Sequence, residues 1–210
     1  MAETFRVINP DDHRGELHFL LNAIIAPRPI AWISTIDTAG VNNIAPHSYT
    51  TVCSTEPPIV AFVSNGRKDT LNNVEATGDF VYNVVTEQHC EAMNLSSADA
   101  PPDVDEFTLT GIQALRSDQV RPMRVADAPI AMECRVVDIH RVPGAESWIV
   151  MGEVVQIHVA DSAFTGDRID PGKWRPVLRT SGSGYTRIGE PFAMKRPSYR
   201  DLVSETGELG

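Results

Sequence analysis

Ser64 to Val74, SNGRKDTLNNV, places small polar side chains and two adjacent cations directly ahead of a helix-like run. Asn65-Gly66 is turn chemistry, and the residues after Asp69 have the spacing of a short helix that Asp69 can cap. Backbone amides exposed at such a turn, with Arg67 and Lys68 beside them, form a seat for a phosphate. A capping Asp69 would occupy those amides and repel an anion, leaving the phosphate to the side chains of Ser64, Arg67, Lys68 and Thr70. On physics alone, the commoner arrangement for such a stretch is a capped surface helix with solvated charges. Both readings stand on these residues.

Other short motifs fail on inspection. GDRIDPGKW has one residue too many between its glycines for a P-loop, and Trp174 stands where Ser or Thr should follow the lysine. TSGSGYTR lacks the glycine two residues before the serine that a nucleophile elbow needs. His13 and His18 are five apart and miss the spacing for two ligands on one helix face. Cys53, Cys90 and Cys134 contain no CxxC pair, so neither a zinc site nor a disulfide framework is expected. No metal and no protein nucleophile are expected.

Composition sets the wider bounds. A net charge of −10 argues against nucleic acid, because neutralising phosphates needs a broad basic face. No apolar run reaches the roughly 18 residues of a membrane helix. The stretch MAETFRVINPDDHRG lacks the apolar segment of a signal peptide, and unpaired thiols fit a cytoplasmic location.

The elements that must position the cluster follow from periodicity. Leu17, Leu20, Leu21 and Ile24 recur at helical spacing behind an Asp-rich start that can cap them, and Pro27 and Pro29 end that helix. IAWISTID is a strand, and VNNIAPHSYTTVCST is an edge or bent strand because it contains Pro46. PPIVAFVS is a buried strand leading into the cluster, and Gly78 sits where a C-terminal glycine would stop the helix after Asp69. DFVYNVV, IAMECRVVDIHRV and SWIVMGEVVQIHVA are further strands, and EQHCEAMN is a short helix. LSSADAPPDVDEFTLTG is a long acidic surface loop. Five or six strands with few helices predict an antiparallel barrel or sandwich. No composition shift marks a boundary, so residues 1–210 are taken as one domain.

The chain resembles the flavin reductase-like, FMN-binding split-barrel family, in the branch of nitrilotriacetate monooxygenase component B and flavoredoxin. The resemblance runs through PRPIAWIST, the long block from NNIAPHSYTT to DFVYNVV, AMNLSSADAPPDVDEF, VMGEVVQIHV and GSGYTRIGEPFAMKRP. It implies a mainly β fold with peripheral helices: an antiparallel, Greek-key split barrel over about residues 25–160, with a C-terminal extension over 161–210. It implies a homodimer that holds FMN near the subunit interface. The FMN phosphate would meet the segment containing Ser64, Arg67, Lys68 and Thr70. The isoalloxazine ring would lie against Ser48, Thr50, Thr51, Val52 and Cys53. The hydroxyls and amides of that run suit the ring's pyrimidine edge, which gathers negative charge on reduction, although HSYTT alone is an ordinary polar strand. Arg28 is a further cofactor-pocket candidate and reads equally as an exposed arginine at a strand start.

The resemblance also implies NADH or NADPH as electron donor, and free flavin or a partner oxygenase as acceptor. One departure bears on this. Many nicotinamide-using relatives carry a histidine before the GEV strand, where alignment through MGEVV puts Ser147. A non-enzymatic FMN electron carrier therefore stands as an alternative. So does a flavoenzyme for a specific organic substrate, with the Asp99–Phe107 loop and the segment around Tyr185 forming its pocket.

Overall fold

Runs of β-branched and aromatic residues, broken by Gly, Pro and Asp-rich turns, dictate where strands begin and end. A computed structural model describes residues 3–199. In chain order it contains α1 (Leu17–Ile24), β1 (Ala31–Ile36), β2 (Asn42–His47), β3 (Thr50–Thr55), β4 (Pro58–Asn65), α2 (Asp69–Thr77) and β5 (Asp79–Val84). There follow α3 (Cys90–Leu95), α4 (Glu106–Thr110), β6 (Ala114–Leu115), β7 (Arg124–Val125), β8 (Ile130–Arg141) and β9 (Ser147–Val159). The tail adds β10 (Phe164–Thr165), β11 (Arg168–Ile169), α5 (Pro171–Trp174), β12 (Val177–Arg179) and β13 (Tyr185–Arg187).

Seven strands form one antiparallel sheet in the order β2-β1-β5-β8-β9-β4-β3. Its two edges, β2 and β3, are consecutive in sequence and joined only by Ser48 and Tyr49. The three residue steps from His47 to Thr50 reach about 11 Å at most, so the ends of the two edges must lie close together and the sheet must curl on itself. No ladder joins β2 to β3. Instead the Val63 amide donates to Tyr49 O at 2.8 Å, and His47 Nδ1 lies 3.1 Å from Val63 O. This is a split barrel, with its seam at Ser48–Tyr49. Pro46 lies in an edge strand, where a missing amide costs no ladder bond.

Strand alternation sorts the core into two layers. Ala31 and Ile33 of β1 point into the barrel with Phe62, Phe80 and Val150, while Ile30 and Trp32 point out to meet Ile44, Met93, Phe107 and Val177. Phe62 and Phe80 pack edge to face at 5.3 Å. Gly152 makes room for them, since a Cβ there would stand 2.4 Å from Phe80 Cε1. The outer layer is covered by α3, α4 and the C-terminal hairpin. Trp32 Nε1 donates to Ser96 Oγ at 2.9 Å, which ties β1 to the start of the 96–105 loop.

Three local expectations change. Asp11 and Asp12 lie in a separate 3-10 turn capped by Asn9, and α1 starts later without a side-chain cap. The apolar face of α1 is exposed, with Leu21 at 53% and Ile24 at 73%. The acidic loop ends in α4, because Asp105 Oδ1 accepts from the Thr108 amide at 3.1 Å and caps a short turn of helix. No helix among the described residues is long and apolar enough to cross a membrane.

Candidate functional site

β4 carries Ser64 and Asn65 to the rim of the barrel, and Gly66, at φ +82°, turns the chain toward α2. The Gly66 amide donates to Glu146 O at 2.8 Å, which pins the turn to the β8–β9 connection. Lys68, in extended backbone, is the N-cap of α2, and Asp69 is the first helical residue. No side chain caps this helix. The expectation that Asp69 caps it is corrected: its position is one residue too late to reach back to the second or third amide. The starting amides of α2 are therefore free of any side-chain cap.

Both cations of the cluster have carboxylate partners. Arg67 makes a bidentate pair with Glu75 at 2.8 Å per bond and lies over the Trp148 ring at 5.4 Å. The hydrogen bond and charge of Glu75 push the guanidinium pKa up. Lys68 Nζ sits 2.6 Å from Asp99 Oδ1, on the 96–105 loop, and that bond holds the Asp99 carboxyl below its ordinary value. An anion arriving at Lys68 competes with Asp99. Asp99→Asn is expected to tighten phosphate-bearing ligands about two- to threefold, the scale of an exposed pair, in a calorimetric titration with FMN. Weaker binding by the variant would show that Asp99 supports the site. Thr70 and Ser64 are buried, with Thr70 Oγ1 donating to Asn43 Oδ1 at 3.0 Å and Ser64 Oγ to Gly66 O at 3.0 Å. The Thr70 hydroxyl belongs to a buried network with Thr35 and Asn73.

His47 joins these groups at the seam, a placement that periodicity does not signal beyond its being the neighbour of Ser48. Its Nδ1–H donates to Val63 O and its ring packs on Phe62 at 4.7 Å. Burial lowers its pKa to about 4, the Val63 bond works against this, and the nearby Lys68 charge adds to it. The imidazole is neutral near pH 7, so Nε2, buried and without a protein partner, is an acceptor.

Four cavities follow one another along the seam. The first, about 280 Å³, lies at the start of α2 between Asn43, His47, Lys68, Thr70 and the 96–102 loop, with Arg67 and Glu106 in its wall. Burial pushes the Glu106 carboxyl up. The second, about 290 Å³, shares His47 and Lys68 with the first and adds Arg28, Ser48, Ser64 and Arg179. The third, about 470 Å³, shares Arg28, Ser48 and Tyr49 with the second and is walled by Leu21, Ile25, Pro27 and Pro29. The fourth, about 580 Å³, runs past Thr50, Thr51 and Cys53 over Phe62 and Met151.

Ser64, Lys68, Ser48 and Arg28 thus meet in one cavity, and Thr50 joins Ser48 and Arg28 in the next. Arg67 and Thr70 face only the first, and Thr51 and Cys53 only the fourth. Val52, exposed on edge strand β3, lines none of the four. Nor does Ser147, which opens β9 and donates to Asn65 Oδ1 at 3.0 Å. Tyr185 stands behind the second cavity, with Arg179 over its ring at 4.4 Å. Arg28 is buried, not the exposed arginine of the alternative reading. Its Nη1 donates to Asn22 O at 2.6 Å and Ile25 O at 2.9 Å, so it caps the C-terminal end of α1. Away from the seam cavities, Asp118, Glu133 and His158 bring ligand-type atoms within 4.8 Å of one another. Glu133 there already accepts from the amides of Asp118, Gln119 and Val120.

Comparison with known proteins places this arrangement. An uncharacterised protein of Halalkalibacterium halodurans is 37% identical over 202 residues, covering 91% of this chain and 96% of its own. Among solved structures, nitrilotriacetate monooxygenase component B from Bacillus cereus superposes with a TM-score of 0.88 at 29% identity, over 92% of this chain and all of that one. The 2-nitrobenzoate 2-nitroreductase of Pseudomonas fluorescens superposes with a TM-score of 0.84 at 25% identity, over 93% of this chain and 98% of that one. Residues 25–179 match the flavin reductase like domain, a span that holds the whole barrel and the seam, and the chain therefore belongs to the flavin reductase-like family of flavin-related oxidoreductases.

Proposed function

We propose that this protein binds FMN along the seam of the barrel and works as a flavin-dependent oxidoreductase that takes electrons from NADH or NADPH. The observation that carries the reading is the run of adjoining cavities, which passes from the amide- and lysine-bearing start of α2 to the apolar walls beside α1 and β3. FMN has the same gradient, from a phosphate through a polyol to a largely apolar ring. Ser64, Lys68 and the uncapped amides of α2 would hold the phosphate, and Arg67 and Thr70 would flank it. His47 Nε2 offers an acceptor to a hydroxyl or N–H donor between the two ends. Ser48, Thr50 and Thr51 would face the polar edge of the ring, with Val52 and Cys53 on the same strand. Bound FMN would itself supply the hydride and electron transfer, so the chain needs to place it, screen it from water and bias its charge.

Free flavin or a partner oxygenase would accept the electrons, and the similarity to a protein named as a monooxygenase component supports the second. A cytoplasmic setting suits the three free thiols, Cys53, Cys90 and Cys134. The exposed apolar face of α1 and the open edge β3, with Val52 at 64% exposure, support a homodimer that covers both. A second reading, an FMN electron carrier without nicotinamide turnover, is favoured by one observation. Ser147 is spent on Asn65 and offers no charge to a dinucleotide.

The test is a visible spectrum of the purified protein with FMN and with riboflavin, followed by anaerobic reduction. FMN is expected to bind at least about tenfold more tightly than riboflavin, because only FMN carries the charge that Lys68 and the amides can use. Equal affinities would sink the phosphate seat. Reduction of the bound flavin by NADH or NADPH supports the oxidoreductase, and no reduction by either leaves the carrier.

A further inference from the structure

Three cations, Arg28, Lys68 and Arg179, line the second seam cavity, and no carboxylate does. In a chain of net charge −10 that is a marked local inversion. Lys68 belongs to the turn before α2 and is paired with Asp99. The other two arginines lie side by side on an isolated antiparallel bridge, with Arg28 N donating to Arg179 O at 2.9 Å and Arg179 N to Arg28 O at 2.8 Å. Arg28 is 6% exposed. Among the described residues its hydrogen bonds go to the carbonyls of Asn22, Ile25 and Thr180 and to no carboxylate, its guanidinium lies over the Tyr49 ring at 5.7 Å, and its Nε is buried without a partner. Arg179, half-buried, donates to Gly182 O at 2.6 Å and has no carboxylate partner among the described residues. Capping of α1 accounts for the two Nη1 bonds of Arg28. It does not account for a second unneutralised guanidinium beside it, or for a wall free of acid.

A buried guanidinium with no carboxylate partner carries a desolvation cost that an incoming anion offsets, and its fork geometry suits carboxylate and phosphate oxygens. On the FMN reading above, the flavin phosphate would be met by Lys68, Ser64 and the amides of α2. The cavity shares Asn22, Arg28, Ser48 and Tyr49 with the apolar third cavity, so an anion bound here has apolar surface next to it for the rest of its ligand.

We propose that Arg28 and Arg179 bind the anionic group, a carboxylate or a diphosphate, of a second ligand that enters the seam beside the flavin. The identity of the neighbouring ligand rests on the FMN reading above; the anion site itself does not. The experiment titrates the FMN-loaded protein with benzoate, with inorganic pyrophosphate and with benzyl alcohol as neutral control, followed by the flavin spectrum and by calorimetry. At least one anion is expected to saturate, with benzyl alcohol about tenfold weaker or worse. Arg179→Gln should weaken that anion about tenfold while FMN still binds, and Arg179→Lys should recover part of the loss. Preference for benzoate points to an organic acid, and preference for pyrophosphate points to a dinucleotide. Three results would overturn the site: equal binding of benzyl alcohol, anion affinity unchanged in Arg179→Gln, or loss of FMN in that variant together with displacement of FMN by pyrophosphate. The last would make this cavity the flavin-phosphate seat. If the wild type takes up no FMN, the FMN reading fails on its own, and calorimetry with the same anions on the flavin-free protein still decides the anion site.

Discussion

Glu133→Ala is expected to lower folding stability by about 3–5 kcal/mol, read from the urea midpoint of the purified protein. The Glu133 side chain is fully buried in β8 and its carboxylate accepts from three successive backbone amides, Asp118 at 2.8 Å, Gln119 at 2.6 Å and Val120 at 3.2 Å. His158 Nε2, from β9, lies 2.6 Å from Oε1. One side chain thus ties the connection between β6 and β7 to the two longest strands. Its removal leaves amides facing a cavity with nothing to accept them. Glu133→Gln keeps the shape and one acceptor, so its loss should be smaller. A variant as stable as the wild type would mean that water replaces the carboxylate without cost.

The same contact sets an acid limit. Burial pushes the Glu133 carboxyl up, but the Asp118 amide, His158 and the Gln119 amide outweigh it and hold the group below its ordinary value. A carboxyl with a lowered folded pKa adds stability above its unfolded pKa of about 4.3 and loses it as pH falls toward the folded value. Wild-type stability should therefore decline more steeply below about pH 4.3 than that of Glu133→Gln. Parallel acid limbs for the two proteins would show that other carboxylates set the limit.

Much of this fold is legible in the chain because its strands are apolar runs set off by turn residues. Ile30 to Ile33 is an unbroken apolar run, the mark of a strand buried on both faces. Pro46 marks an edge, and Gly78 ends α2, in left-handed backbone at φ +76°. Closure of the sheet is less legible. It depends on the two-residue link Ser48–Tyr49 between edges that local patterns treat as one bent strand. The cap of α2 is misleading in the sequence because Asp69 is a good capping residue by type, while the extended backbone of Lys68 puts the helix start one residue earlier. Partner choice is also invisible to spacing. Glu75 and Asp99 are 8 and 31 residues from the cations they pair with. Only the fold brings Arg179 beside Arg28, 151 positions away in sequence. His47 gives no local signal because its role depends on a lone acceptor atom, which emerges once Val63 O is placed against Nδ1.

The pairing of those cations decides which of them matters most to a phosphate. Arg67 is clamped by both oxygens of Glu75 and stacked on Trp148, so its charge is largely neutralised where it stands. Lys68 has one partner, Asp99, on a loop whose carboxylate is 85% exposed, and it alone of the two lines both polar cavities. Lys68→Ala is therefore expected to raise the Kd for FMN by roughly ten- to a hundredfold, the effect of one charge-assisted bond to phosphate, and to leave riboflavin binding unchanged. Arg67→Ala should cost FMN less. Because Lys68 is partly exposed, the gap between FMN and riboflavin should also narrow as salt rises and screens the charge. Fluorescence titrations of both flavins against wild type and the two variants, at low and high salt, measure all of this. Equal losses for FMN and riboflavin in Lys68→Ala would remove Lys68 from the phosphate and make it a structural partner of Asp99. A larger loss in Arg67→Ala would mean that the guanidinium leaves Glu75 for the ligand and carries more of the phosphate than Lys68 does.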